Sequence, residues 1–283
     1  MLAAGLGLLA CEQSRSGAQA GAAILPAHRP VEPAVERPAI PSASQANPRR
    51  PEAPSPPLPR PSGGARLGVG PGWEDVPLPG FEPVIVAVPP GDDKKPLFVV
   101  AHGYSDLPRW QCAWWQQRVG SEAWVVCPRG IPVQALAPGQ VGYQFSSPSA
   151  MEAEILAAIG AVRARYAPRV DAASPVFAGF SQGAIFGAEL AAKGHFRRMI
   201  LVEGGVGGWT AAHAQAFRSA GGERVLFACG QPGCAAWAQR SVETLVEAGV
   251  AARTVSAFGG GHRYRDTPLE PLLFSSVDWV LKD

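Results

Sequence analysis

The stretch Ala178-Gly179-Phe180-Ser181-Gln182-Gly183-Ala184 reads G-x-S-x-G, and its surroundings decide what it means. Before it stands Pro175-Val176-Phe177-Ala178, short, apolar and β-prone; after it runs Ala184-Ile185-Phe186-Gly187-Ala188-Glu189-Leu190-Ala191-Ala192, a helical composition. A strand that turns sharply into a helix at a serine is the context of a nucleophile elbow, in which the hydroxyl is exposed above a parallel sheet. The glycines have a steric reason. The turn strains the backbone at the serine, and a side chain at Gly179 or Gly183 would collide with the neighbouring strand or helix.

Working outward, strand and helix signals alternate from about Trp73 to the end. Phe81–Val88 reads as an early strand, and its Pro83 predicts an edge position. Leu97–His102 is a buried strand, Arg109–Val119 a helix, Ala123–Cys127 a strand, and 131–147 a long irregular loop. Ser149–Tyr166 is a helix with Ser149 as N-cap and Ile155, Leu156, Ile159 and Val162 on one face. Beyond the elbow come strand 199–202, helix 210–220, strand 225–228, helix 234–248, strand 254–258 and helix 269–281. Such alternation predicts an α/β fold: a mostly parallel sheet with helices on both faces, over residues 72–283, with no room for a large lid domain.

The first 71 residues differ. Met1–Ala10 is apolar and ends at Cys11 in Leu8-Leu9-Ala10-Cys11, which resembles a bacterial lipobox whose cysteine carries the lipid. Ten residues are too few to span a bilayer, which takes roughly 20, and no Lys or Arg precedes the run. Residues 12–71 are rich in Pro, Ala, Ser, Arg and Glu and almost free of aromatics, the composition of an extended, disordered spacer. The expected organisation is therefore a signal segment (1–11), a linker (12–71) and a folded domain (72–283), held at the cell envelope through lipidated Cys11 or secreted. A net charge of +2 gives no basic surface for nucleic acid.

A serine nucleophile needs a base. Of five histidines, His28 lies in the linker, and His195 and His213 fall on surface positions. His102 follows a strand. His262, in Gly259-Gly260-Gly261-His262, lies after the last strand, where the base of such a site belongs in chain order. With these residues in hand, the chain resembles the α/β-hydrolase fold, and within it the small carboxylesterase/phospholipase-like serine hydrolases. The resemblance rests on Val100-Ala101-His102-Gly103-Tyr104, Gly179-Phe180-Ser181-Gln182-Gly183 and Gly260-Gly261-His262. It implies an oxyanion hole from the amides of Gly103 or Tyr104 and of Gln182, with His102 a structural residue of that loop. It also implies a small-molecule ester substrate and no cofactor.

The resemblance implies an Asp after the penultimate strand, but that position reads Ala228-Cys229-Gly230-Gln231-Pro232-Gly233-Cys234, and no Asp occurs between Ser181 and His262. Glu203, directly after strand 199–202, is the carboxylate at the right edge of the sheet; Glu189, Glu223, Glu243 and Glu247 are not. A Ser181–His262 dyad held by Gln231 or a carbonyl, and a non-catalytic scaffold that binds a ligand at the envelope, are the alternatives. Asp266 reads as a cap or turn before Pro268. Cys112, Cys127, Cys229 and Cys234 allow three pairings, of which the local ones, Cys112–Cys127 and Cys229–Cys234, are expected in an exported protein; their spacing does not suit a metal. Aromatics from Tyr104 to Trp115, with Tyr143, Phe145 and Trp209, are the expected pocket lining.

Overall fold

A computed structural model of the chain describes residues 72–134 and 141–282. Cys11, His28 and the 12–71 linker lie outside the described residues. The elements run β1 (Trp73–Val76), β2 (Val84–Ala87), β3 (Lys95–Ala101), α1 (Pro108–Val119), β4 (Trp124–Cys127), β5 (Ile131–Gln134), β6 (Val141–Gln144), α2 (Pro148–Tyr166) and β7 (Val170–Phe180). They continue with α3 (Gln182–Leu190), β8 (Arg198–Val202), α4 (Ala211–Ser219), β9 (Arg224–Cys229), α5 (Pro232–Glu247), β10 (Ala251–Ser256) and α6 (Leu269–Leu281).

Eight strands form one sheet in the order β1-β2-β4-β3-β7-β8-β9-β10. β1 and β2 are antiparallel to their neighbours, and from β4 to β10 all pairing is parallel. Period-2 alternation feeds both faces. On β8, Met199 and Leu201 pack into a core with residues of α3, α4 and α5, whereas Ile200 and Val202 pack with α1 and α6. Strands buried on both sides need continuous apolar runs, and Leu97–Ala101 and Met199–Val202 are such runs, each residue at 1 % exposure or less. The order also fixes where a ligand belongs. From β3 the chain moves to β4 on one side and later to β7 on the other, so a crevice opens at the carboxyl ends of β3 and β7. His102 and Ser181 follow those two ends.

Several sequence expectations need correction. β2 is interior, because Trp73–Val76, not foreseen as a strand, pairs along its outer side; Pro83 precedes the strand and takes no N–H from the ladder. The stretch 131–147 is not irregular: β5 and β6 pair antiparallel, from Ile131 opposite Gln144 to Gln134 opposite Val141. β7 has 11 residues rather than a short core run, its polar start pairing with β3 around an irregularity between Pro96 and Phe98. β10 begins at Ala251, earlier than expected, because an edge strand tolerates Ala251, Ala252 and Arg253. The N-cap of α2 is Ser147, whose hydroxyl accepts from Ala150 N at 3.1 Å, with Pro148 at the first helical position.

Two cysteine pairs stand at disulfide distance: Cys112 and Cys127, with sulfurs 2.07 Å apart, and Cys229 and Cys234, at 2.00 Å.

Candidate active site

Ser181 joins β7 to α3 with φ 50° and ψ −113°, a conformation that only a tightly determined turn holds at a non-glycine residue. The close packing is visible at its flanks. A Cβ on Gly179 would stand 2.7 Å from Ala184 N, and one on Gly183 would collide with the carbonyl oxygen of Ala101. Ser181 N donates to Val202 O at 2.9 Å and Gly183 N to His102 O at 3.1 Å, so the turn is stitched to both neighbouring strand ends.

His262 Nε2 lies 2.8 Å from Ser181 Oγ. Its other nitrogen, Nδ1, lies 3.3 Å from Glu203 Oε2. The three residues thus stand in series within hydrogen-bonding distance across the ends of β7 and β8 and the loop after β10. The environments differ sharply: the Glu203 side chain is fully buried, whereas that of His262 is half exposed. Burial of a carboxylate demands partners. Glu203 Oε1 accepts from Gly230 N, and Oε2 accepts from Gln231 Nε2 at 2.8 Å. The residue itself sits at φ 53°, and its N–H donates to Ala228 O at 2.9 Å, continuing the ladder to β9. Glu223, by contrast, pairs with Arg198 at 2.8 Å and with Arg197 at the opposite sheet edge. Asp266 (φ 54°) lies in the turn before α6 and donates its N–H to Glu270 Oε2 at 2.6 Å.

The His-Gly segment lies beside the serine, since a Cβ on Gly103 would stand 3.3 Å from Ser181 Cβ. Gln182 is the first residue of α3, so its N–H has no acceptor within its own helix. Its side chain accepts from Phe145 N at 2.9 Å. His102 is 1 % exposed, stacks on Phe145 at 4.7 Å, and sets Nδ1 2.7 Å from Gly103 O and Nε2 2.8 Å from Arg129 O. Burial pushes its pKa down, against the two carbonyls that favour the charged ring. It braces the loop and does not reach Ser181.

The expected aromatic lining is mostly core. Trp115, Phe145 and Trp209 are buried at 2 %, 2 % and 6 % exposure, and Trp209 Nε1 donates to Gly205 O. Tyr104 and Trp110 are exposed. The aromatics beside the histidine are ones that sequence reasoning missed. Phe180 lies 5.3 Å from the His262 ring and 5.1 Å from that of Tyr264. Phe180 and Tyr264 line a cavity of about 260 Å³ with Trp110, Gln111, Asp106, Arg263, Arg265 and Asp266. Tyr264 donates to Gln111 Oε1, and Gln111 Nε2 to Asp106 Oδ2 at 2.8 Å, so three of the lining residues are joined in one polar chain. Burial pushes the Tyr264 phenol well above its ordinary pKa. On the other flank, Ile185, Gly204–Gly208 and His213 border a groove of about 720 Å³. Phe180 carried a signal, as the residue before the serine; Tyr264 carried none.

Sheet order, elbow and helix placement define the α/β-hydrolase fold. Solved structures of that architecture are similar to it. A Thermus thermophilus protein matches at 16 % identity and a TM-score of 0.53, over 75 % of this chain and 98 % of that one. An uncharacterized Bacillus cereus protein matches at 14 % and 0.54, over 68 % of this chain and 61 % of its own. A Bacillus cereus carboxylesterase matches at 19 % and 0.50, over 71 % and 93 %. No family model and no curated protein matches the sequence.

Proposed function

We propose that the chain is a serine hydrolase of carboxylic esters or thioesters, working through an acyl-enzyme on Ser181. The observation that carries the reading is the continuous chain Ser181 Oγ–His262 Nε2–Nδ1–Glu203 Oε2, at 2.8 and 3.3 Å, at the crevice where the sheet order reverses. His262 takes the serine proton as Oγ attacks the carbonyl carbon. The resulting oxyanion is met by the amides of Gln182 and of Gly103 or Tyr104, each such donor contributing about 3–4 kcal/mol in the transition state. Collapse expels the alcohol or thiol, which leaves with the proton from His262. Water, deprotonated by the same nitrogen, then releases the acid and regenerates Ser181. Glu203 stabilises the imidazolium formed in each half-reaction. A carboxylesterase among the structures of the same architecture fits this reading.

Labelling by a fluorophosphonate probe, together with hydrolysis of p-nitrophenyl esters of rising chain length, tests it. Both activities are expected in the wild type and lost in Ser181→Ala; hydrolysis that survives Ser181→Ala removes the proposal. We further propose that a lipid on Cys11 holds the enzyme at the cell envelope, with 12–71 as the spacer. Mass spectrometry of the protein made in a bacterium, intact and as Cys11→Ser, reads this directly: the acyl mass belongs to the first and is missing from the second.

A further inference from the structure

Gln231 stands between the acid and the base, and its protons do not match the arrangement that catalysis needs. It occupies the N-cap position of α5, yet its side chain makes no capping bond. Pro232 follows it, and the loop that carries it is closed at both ends by Cys229 and Cys234. Its Nε2 donates to Glu203 Oε2 at 2.8 Å and lies 3.0 Å from His262 Nδ1, nearer than the carboxylate oxygen at 3.3 Å.

An amide nitrogen has two N–H groups and no acceptor. With one N–H given to Glu203 Oε2, the other is the one within reach of Nδ1, which must then offer a lone pair. The ring proton is left on Nε2, where it donates to Ser181 Oγ at 2.8 Å. Every donor is satisfied, but this tautomer cannot accept the serine's proton. In the tautomer that can, an Nδ1–H faces an amide N–H across 3.0 Å. Turning the amide over does not relieve the conflict, because its oxygen would then oppose Glu203 Oε2 at 2.8 Å.

We propose that Gln231 is a positioning residue that holds resting His262 in the Nε2–H tautomer and so restrains Ser181. This rests on the roles given above to Ser181, His262 and Glu203. Moving the proton to Nδ1, and the ring onto Glu203, is a step that precedes attack, and its cost lowers kcat without touching substrate binding. The sequence departs at this same loop from the pattern it resembles, which implies an aspartate there. The site thus places the carboxylate one strand back and an amide in the direct path.

Proton–nitrogen correlation spectra of histidine-labelled full-length protein, at a pH where His262 is neutral, read the tautomer directly. The wild type is expected to show Nε2–H at His262, and Gln231→Met, similar in length and without a donor, to show Nδ1–H. Gln231→Met should also raise kcat on a p-nitrophenyl ester about fivefold at unchanged KM, the scale of one mismatched hydrogen bond. The exchange Glu203→Gln with Gln231→Glu moves the charge into direct line with Nδ1 and should be at least about tenfold faster than Glu203→Gln alone. A resting wild type in the Nδ1–H form overturns the proposal by itself, even if the variants do not fold; so does a Gln231→Met enzyme that folds and loses kcat. Ser181→Ala separates the two readings: an inactive Ser181→Ala beside an Nδ1–H wild type leaves the hydrolase reading standing and removes only the restraint.

Discussion

The Glu203 side chain is fully buried, accepts a hydrogen bond on each oxygen, and sits at a positive φ that a glutamate adopts only under constraint. A surface loop residue can adopt a positive φ, as the exposed Asp266 does, but it would not combine it with full burial and a donor on each oxygen. Glu203→Gln keeps the shape and removes the charge, so kcat is expected to fall about 10³- to 10⁴-fold with KM little changed; a variant that retains wild-type kcat would remove Glu203 from the site. Residue by residue, the sequence was unequally informative. Ser181 was readable because its strain forces glycines at fixed offsets. His262 was readable because chain order places the base after the last strand. Glu203 emerged by elimination, since it alone directly follows a strand on the correct edge. The contact of Gln231 with both partners was not readable, because it depends on how the loop after β9 folds back onto the end of β8. Nor could sequence separate Phe180 and Tyr264, which flank His262, from Trp115, Phe145 and Trp209, which are core: both sets are aromatic, and burial depends on packing from other elements.

Elements with a strong internal pattern were found to within about two residues of their limits, and those defined by partners were not. α6 spans Leu269–Leu281 as expected because Leu269, Leu273, Val277 and Val280 form one buried face. The β5–β6 hairpin was missed because Pro132 and the glycines near it argue for a loop, while its alternation is only a few residues long. β1 was missed because its four residues gain their place only from β2. The two cysteine pairs give a prediction at this scale. Cys112 and Cys127 are 15 residues apart, and Cys229 and Cys234 are 5. Closing the longer loop removes more freedom from the unfolded chain, about 3 kcal/mol against about 2 kcal/mol. Replacing Cys112 and Cys127 by alanine should therefore lower the urea midpoint more than replacing Cys229 and Cys234. The reverse order would mean that what the short loop holds, the Gly230 and Gln231 contacts to Glu203, outweighs the chain-entropy difference.

Across the folded region, the His102–Gly103 segment is held by contacts that reach from the outer strand to the helix layer. Arg129 joins them: its guanidinium pairs with Asp75 on β1 at 2.7 Å, its carbonyl meets His102 Nε2 at 2.8 Å, and its N–H donates to Glu154 Oε1 on α2 at 2.8 Å. Gly130 N donates to the same carboxyl at 3.0 and 3.1 Å. Glu154 is 3 % exposed, and burial holds its pKa above the ordinary 4.5, with the two N–H groups pulling the other way. The sign follows from linkage. A carboxyl whose folded pKa is raised contributes stability that is fully present below 4.5 and is lost as pH rises through the folded value, because the folded state then holds a desolvated charge. Glu154→Gln removes that loss. One amide oxygen can serve both Arg129 N and Gly130 N, since Oε1 already accepts from each. His102 runs in the opposite sense, its lowered pKa favouring the fold above 6.5 and costing stability as pH falls. Because His102 is common to both proteins, it cancels in the comparison. Urea denaturation of wild type and Glu154→Gln should accordingly give similar stabilities below 4.5 and a gap in favour of the variant that opens as pH rises toward neutral. A gap that is constant with pH would mean that burial and the two N–H groups cancel and leave Glu154 at its ordinary pKa; one that opens in the wild type's favour would mean that the two backbone N–H groups outweigh burial and that the ionised carboxylate is what holds the Arg129–Gly130 turn beneath the His102–Gly103 loop.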